Sequence, residues 1–201
     1  QLAVSRQGGS PLDTATAEMA GRKVAELIEQ TTLGVSPAST YTFGGGTIYG
    51  FTNFTDRNTK VLTAPTASGW TPATLVTQVL AMRRQAQADQ HYGPYTLFVS
   101  SDWDQYLDAD YSSSKGDNTL RQRLQMIEGI SAVTTLDYLT GWACILVQMT
   151  QDVVRLVVGM EITVVQWPSK GGMQQNFKVM AIQVPQVRSE YTGKCGLVHG
   201  S

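Results

Sequence analysis

Apolar positions recur at helical spacing most plainly between Trp70 and Tyr92. Leu75, Val76, Val79, Leu80, Met82 and Ala86 fall three, four and seven apart, while Thr77, Gln78, Arg84, Gln85 and Gln87 take the other side. Thr71 stands where an N-cap hydroxyl meets orphan amides, and Pro72 follows at the first helical position, where its missing N–H costs nothing. Gly93 and Pro94 supply a stop. A helix over this whole stretch spans roughly 33 Å, against a radius of gyration of roughly 16 Å for a compact chain of this length. The pattern therefore predicts a spine that crosses most of the molecule.

The remaining pattern is mixed. Leu2, Val4 and Arg6 alternate with Ala3 and Ser5 as a strand does, before Gly8 to Pro11 break it. From Ala15 to Thr32 a second helix is predicted, with Met19, Val24, Leu27 and Ile28 on its apolar face and Gly34 closing it. Ser36 to Ala67 is rich in Gly, Thr and Asn with interspersed aromatics, and reads as hairpins and loops. Tyr95 to Val99 reads as a strand, with Ser100 or Ser101 capping a helix through Trp103, Tyr106 and Leu107. A helix from Thr119 to Glu128 and a strand from Ala132 to Leu136 follow. Trp142 to Met149 and Val153 to Val158 are apolar runs of strand length. Glu161 to Trp167 and Asn176 to Val187 flank a turn marked by Gly171-Gly172, and Pro185 places the end of the second limb at a sheet edge or bend. Lys194 to His199 gives one last strand.

With 201 residues, 42% of them hydrophobic, a sizeable core is affordable in one or two domains. The net charge of −1 removes a class of function: Arg22/Lys23, Arg83/Arg84 and Arg121/Arg123 are scattered pairs, not the basic stripe that phosphate binding uses. Arg155 and Glu161 interrupt the longest apolar region, which predicts a soluble protein with no membrane partner. The chain opens without Met inside a strand-like segment, as a processed or truncated product would.

Candidate chemistry is thin. Cys144 and Cys195 lack Cys-x-x-Cys spacing and read as two buried free thiols, which suits a reducing compartment. Gly44 to Gly46 have no following Lys-Ser/Thr and read as a turn, not a phosphate cradle. The acids Asp102, Asp104, Asp108 and Asp110 fail the calcium-loop pattern, because Leu107 holds the sixth position where Gly is required. Asn53-Phe54-Thr55 is a glycosylation triplet in a chain with no sign of secretion. His91 and His199 are the only imidazoles, and neither sits in a nucleophile setting. No catalytic, cofactor-binding or metal-ligating residue is nominated, and the four Trp read as core or interface anchors.

The order of elements, together with Ile48-Tyr49-Gly50-Phe51-Thr52-Asn53, Arg57-Asn58-Thr59, Gly93-Pro94-Tyr95-Thr96-Leu97-Phe98-Val99-Ser100 and Gln125-Met126-Ile127-Glu128-Gly129-Ile130, resembles the major capsid proteins of tailed phages with the Hong Kong 97 type fold and their relatives, the encapsulins. The hairpin around Gly171-Gly172 and the closing Gly196-Leu197-Val198 continue the likeness. Each motif is weak by itself; their order carries the match.

The resemblance implies an α+β fold with a long spine helix, a long β-hairpin and a mixed α/β axial domain. By carry-over, residues 1–10 are the returning limb of an extended loop, 11–93 with 159–189 the peripheral domain, and 94–158 with 190–201 the axial domain. The implied role is a non-enzymatic subunit that tiles an icosahedral phage or prophage shell around DNA without reading its sequence. Scaffold or portal proteins are the further partners implied, with assembly in the host cytoplasm and a final place in the virion. As assembly contacts the resemblance nominates Leu2, Val4, Arg6, Arg57 and Trp167. The family's arm and the outgoing limb of the loop are unmatched, so residues 1–201 alone are expected to assemble weakly or not at all. The alternative is an encapsulin-type compartment holding a cargo enzyme, which neighbouring genes distinguish: portal and terminase for the virus, a peroxidase or ferritin-like gene for the compartment. A soluble enzyme of unrelated fold is the third reading, and would show a deep pocket of convergent titratable groups.

Overall fold

A computed structural model describes residues 12–112, 118–172 and 174–201. The order is α1 (Leu12–Leu33), β1 (Thr40–Phe43), β2 (Gly46–Tyr49), β3 (Asn58–Lys60), α2 (Pro72–Ala88), β4 (Tyr95–Ser100), a tight turn of helix (Ser101–Trp103), α3 (Asp104–Leu107), α4 (Leu120–Gln125), β5 (Ile130–Leu136), β6 (Cys144–Gln148), β7 (Val154–Ser169), β8 (Gln174–Val187) and β9 (Leu197–Gly200). Strands β3, β9, β6, β4 and β5 form one five-stranded sheet in that spatial order. Its two outer pairs, β3 with β9 and β4 with β5, are parallel, and the inner pairings are antiparallel. β1 with β2, and β7 with β8, are separate two-stranded ribbons.

The sheet is buried on both faces, and β6 shows why the sequence there is a continuous apolar run. Cys144 and Leu146 point into one cluster with Val76, Val79 and Met82 of α2 and Leu120 and Leu124 of α4. Ile145 and Val147 point the other way, into a second cluster with Leu33, Phe51, Val187 and Leu197. Alternation in such a strand separates two cores instead of core from water. At the edge of the first core Trp103 packs with Trp142 at 5.3 Å and Trp70 at 6.3 Å between ring centroids, and Tyr106 closes the group against Trp70 and Trp142.

The helix expected to be the spine, α2, starts where predicted but is shorter than the 22-residue α1. Thr71 is extended at the N-cap, its N–H donating to Thr74 Oγ1 at 3.3 Å, and Pro72 opens the helix. It ends earlier than the pattern suggests. Asp89 closes it and Gln90 exits at φ 68°, while the His91 N–H bonds back to the Ala86 carbonyl, so Gly93 serves a later bend into β4. Seventeen residues give about 25 Å, not 33 Å. Leu80, placed on the apolar face by spacing, is exposed; Leu75, Val76, Val79, Met82 and Ala86 are the buried stripe.

Other expectations shift similarly. Ser100 stands at the N-cap of the turn Ser101–Trp103, but it is buried and its hydroxyl donates to the Gly141 carbonyl, so its side chain makes no cap hydrogen bond. The helix expected over 119–128 closes at Gln125, although its Thr119 cap accepts from Gln122 N as a capping residue does. Val153 to Val158 and Glu161 to Trp167 belong to one sixteen-residue strand, β7, which runs through Gly159 with two register shifts between Val158 and Thr163. Those shifts blur the alternation that would have marked it as continuous. β3, hidden in the polar stretch after Ser36, lies in parallel register with β9, the segment that ends the chain. The Gly-rich turn is Gly44-Gly45, both at positive φ, in a two-residue hairpin between β1 and β2. The strand expected in residues 1–10 lies outside the described residues.

Candidate assembly surface

β7 and β8 pair over 16 and 14 residues, and at about 3.3 Å per residue the ribbon is roughly 50 Å long. Along β7, Leu156, Val157, Val158, Ile162, Val164, Val165 and Trp167 each expose 41–48% of their surface, and Ile182 on β8 exposes 59%. Consecutive residues 156 to 158 are all exposed, so both faces of the ribbon carry apolar surface. A hairpin lying on its own core would show one polar face. The ribbon's root is anchored: Val187 enters the second core cluster, with Val154 packed against it, and Arg188 N donates to the Val153 carbonyl at 2.8 Å.

α1 packs along β8 and to a lesser degree β7. Its half-buried stripe is Ala17, Ala20, Gly21, Val24 and Ile28, whereas Met19 and Leu27, expected on the buried side, are exposed. That stripe faces the ribbon with mostly small side chains, and the larger Met19 and Leu27 are left outward. The β1–β2 hairpin adds exposed Tyr41 and Tyr49. Between β2 and the ribbon's root lies an open groove of about 510 Å³, lined by Thr47, Ile48, Tyr49, Phe54, Val157 and residues 184–187. No charged side chain lines it, and Tyr49 is its only titratable group. That is not the lining an acid–base or metal site requires.

Of the nominated contacts, Trp167 stands on the ribbon opposite Asn176. Arg57 is half-buried beyond β2; its Nη1 donates to the Phe54 carbonyl at 2.8 Å and its Nε reaches no acceptor. The structure does not bring these two residues into one site. Leu2, Val4 and Arg6 lie outside the described residues.

Several of the residues weighed for chemistry have structural partners. Arg121 binds Asp104 at 2.9 Å and Asp108 at 3.0 Å, and Asp104 also accepts from Thr135 Oγ1 at 2.7 Å. Both cysteines are free and buried, and burial pushes the Cys144 thiol up to about 12 and the Cys195 thiol up to about 11. Asn53 accepts from Gly50 N at 2.7 Å and donates to the Ser39 carbonyl, which holds the loop. No hydrogen bond joins either imidazole to a hydroxyl or thiol among the described residues. No helix among the described residues is long and apolar enough to cross a membrane.

His199, on β9 between Thr59 and Ile145, has its pKa lowered from the usual 6.5 by burial and then by the nearby Arg57 charge. An unfolded chain binds the proton more readily, so stability held above about pH 6.5 is lost as pH falls toward the lower folded value. Denaturant midpoints measured from pH 7.5 down to 5.5 should fall, and His199→Gln should flatten that fall. An unchanged slope in the variant would assign the dependence elsewhere.

The fold has clear structural neighbours. A virus-like particle from Pyrococcus furiosus matches with TM-score 0.60 at 16% identity, over 75% of this chain and 58% of that one. The capsid of Myoviridae phage XM1 matches with TM-score 0.66 at 13% identity, over 92% of this chain and 62% of that one. A chain from Mycobacterium phage Che8 matches with TM-score 0.54 at 10% identity, over 73% and 53%. The fold is therefore that of Hong Kong 97 type capsid proteins, an α+β architecture. The chain itself belongs to a family of unknown function, DUF6260, whose sequence profile matches residues 1–200. No curated protein matches it. The chain spans 53–62% of the lengths of these three neighbours.

Proposed function

We propose that this chain is a structural subunit of an icosahedral phage or prophage capsid shell, self-assembling through broad contacts and enclosing DNA without reading its sequence. The observation that carries the reading is the apolar ribbon: about 50 Å of β-hairpin whose β7 strand exposes apolar side chains to both sides, in a fold shared with shell-forming proteins. Isolated globular proteins rarely leave so much contiguous apolar surface to water, whereas subunits that bury on the order of 1,000 Å² or more per contact must carry it somewhere. The ribbon and α1 form the peripheral part, and the five-stranded sheet with α2, α3 and α4 the axial part. Trp167, Arg57 and the segment with Leu2, Val4 and Arg6 are contacts between subunits. The role is non-enzymatic and the destination is the virion, after assembly in the host cytoplasm with scaffold or portal proteins.

Electron microscopy of the complete gene product, expressed alone, tests this directly. Closed hollow particles of uniform diameter are the expected result. Persistent monomers at assembly concentrations would overturn the proposal.

A further inference from the structure

The parallel register of β3 and β9 brings three hydrogen-bonding side chains together at one edge of the five-stranded sheet. Thr59 lies directly opposite His199, and His199 opposite Ile145, so all three point to the side of the second core cluster. Arg57, two residues before Thr59, falls on that side as well, and its charge is felt at His199. Thr59 is exposed, while Arg57 and His199 are half-buried. Among the described residues neither Arg57 nor His199 has an ion-pair partner. The acid next in sequence, Asp56, instead accepts from the Ser189 hydroxyl at 2.5 Å. Arg57 is held by Nη1 on the Phe54 carbonyl, and its Nε finds no acceptor. A guanidinium and an imidazole are thus kept side by side with no counter-charge, an arrangement that an anion relieves.

We propose that Arg57, Thr59 and His199 form a binding site for a phosphate-class oxyanion. The guanidinium supplies charged N–H donors, the threonine a hydroxyl, and the protonated imidazole a further charged donor. Three side chains on two strands can each meet a different oxygen of a tetrahedral ion, whereas a carboxylate offers only two. The ion favours the protonated imidazole, so ion and proton bind together. With a net charge of −1 and no basic stripe, the chain takes one phosphate group here and does not track a nucleic-acid backbone along its length. The site is complete within one chain, so it goes beyond the shell reading and does not depend on it. An ion seated there leaves Arg57 with its charge met where copies touch.

Proton NMR of the 201-residue chain at constant ionic strength tests this, with inorganic phosphate as the probe and His91, the other imidazole, as internal control. Phosphate should raise the His199 pKa saturably and leave His91 where it is, with binding at least about tenfold weaker in Arg57→Gln. Should that variant not fold, Thr59→Ala, at an exposed position, should weaken binding in the same way. A short DNA duplex supplied at the same phosphate concentration separates the two sources. A larger His199 shift than the free ion gives assigns the site to a phosphate of a nucleic-acid backbone, and an equal or smaller one assigns it to the free ion. Phosphate that moves neither imidazole, or moves both alike without saturation, would rule the site out and leave the shell reading standing.

Discussion

Trp103→Ala is expected to destabilise the protein by about 3–5 kcal/mol, the range for deleting a fully buried large aromatic. Trp103 is 0% exposed and is the hinge of an aromatic group: its ring meets Trp142 edge-on at 5.3 Å and Trp70 at 6.3 Å, and Tyr106 packs on both partners. Truncation leaves a void among rigid rings that cannot collapse into it, and also removes the contact energy of the pairs. Trp103→Phe should cost markedly less. Its volume is closer, and the indole N–H of Trp103 is buried with no acceptor, so phenylalanine relieves an unmet donor. Denaturant unfolding of the two variants, followed by tryptophan fluorescence, checks both the order and the size. Equal losses would show that the ring group is loosely packed.

Helices whose apolar stripe faces the sheet were legible in the residues; the ones that serve another surface were not. Leu75, Val76, Val79, Met82 and Ala86 form the predicted face because α2 covers the sheet core. Met19 and Leu27 have the same spacing logic but stand exposed, since α1 packs on a thin ribbon that cannot bury a broad stripe. Periodicity reports that a face wants cover; it does not say whether the same chain supplies it. Strand ends were hidden for a different reason. β3 is three polar residues whose reason to be extended is Leu197–Gly200, far along the chain, and no local pattern encodes that pairing.

The candidate site was legible in part: the limbs Glu161–Trp167 and Asn176–Val187 around Gly171-Gly172 read as a hairpin, as β7 and β8 pair, and Trp167 was nominated by resemblance. The run from Val153 to Val158 read as an apolar strand, and nothing in its sequence says that Leu156 to Val158 stand exposed. What distinguishes it is length: a two-stranded ribbon of 16 and 14 residues outruns the core beneath it. The groove was invisible in sequence, being assembled from Thr47 to Tyr49, Phe54, Val157 and the end of β8. Negative conclusions rested on local spacing and were easier to reach. Asp104 and Asp108, rejected as a calcium loop by the Leu107 position, are engaged by Arg121.

Gly50→Ala should be comparably severe, at or above the roughly 3 kcal/mol that marks the upper end of ordinary over-packing. The segment after β2 closes the end of α1. Phe51 N donates to the Thr32 carbonyl at 3.0 Å, Thr52 N to the Leu33 carbonyl at 2.9 Å, and the Thr52 hydroxyl lies within 2.9 Å of the Leu33 and Gly34 carbonyls. Carbonyls that a helix end leaves without partners are thus met by a second strand of chain. To do so Gly50 passes so close that a Cβ there would stand 2.2 Å from Gly34 N and 2.6 Å from the Thr31 carbonyl oxygen. Both are backbone atoms, so relief requires prying α1 away and breaking those bonds, with Phe51 drawn from the core. Gly21→Ala provides the opposite sign in the same region. It lies inside α1 with nothing within 4 Å of the added carbon, and should stabilise the monomer by about 0.5–1 kcal/mol. Thermal and denaturant unfolding of the two variants, read by circular dichroism, should move in opposite directions. A mild effect at Gly50 would mean that α1 is not clamped by the loop that follows β2.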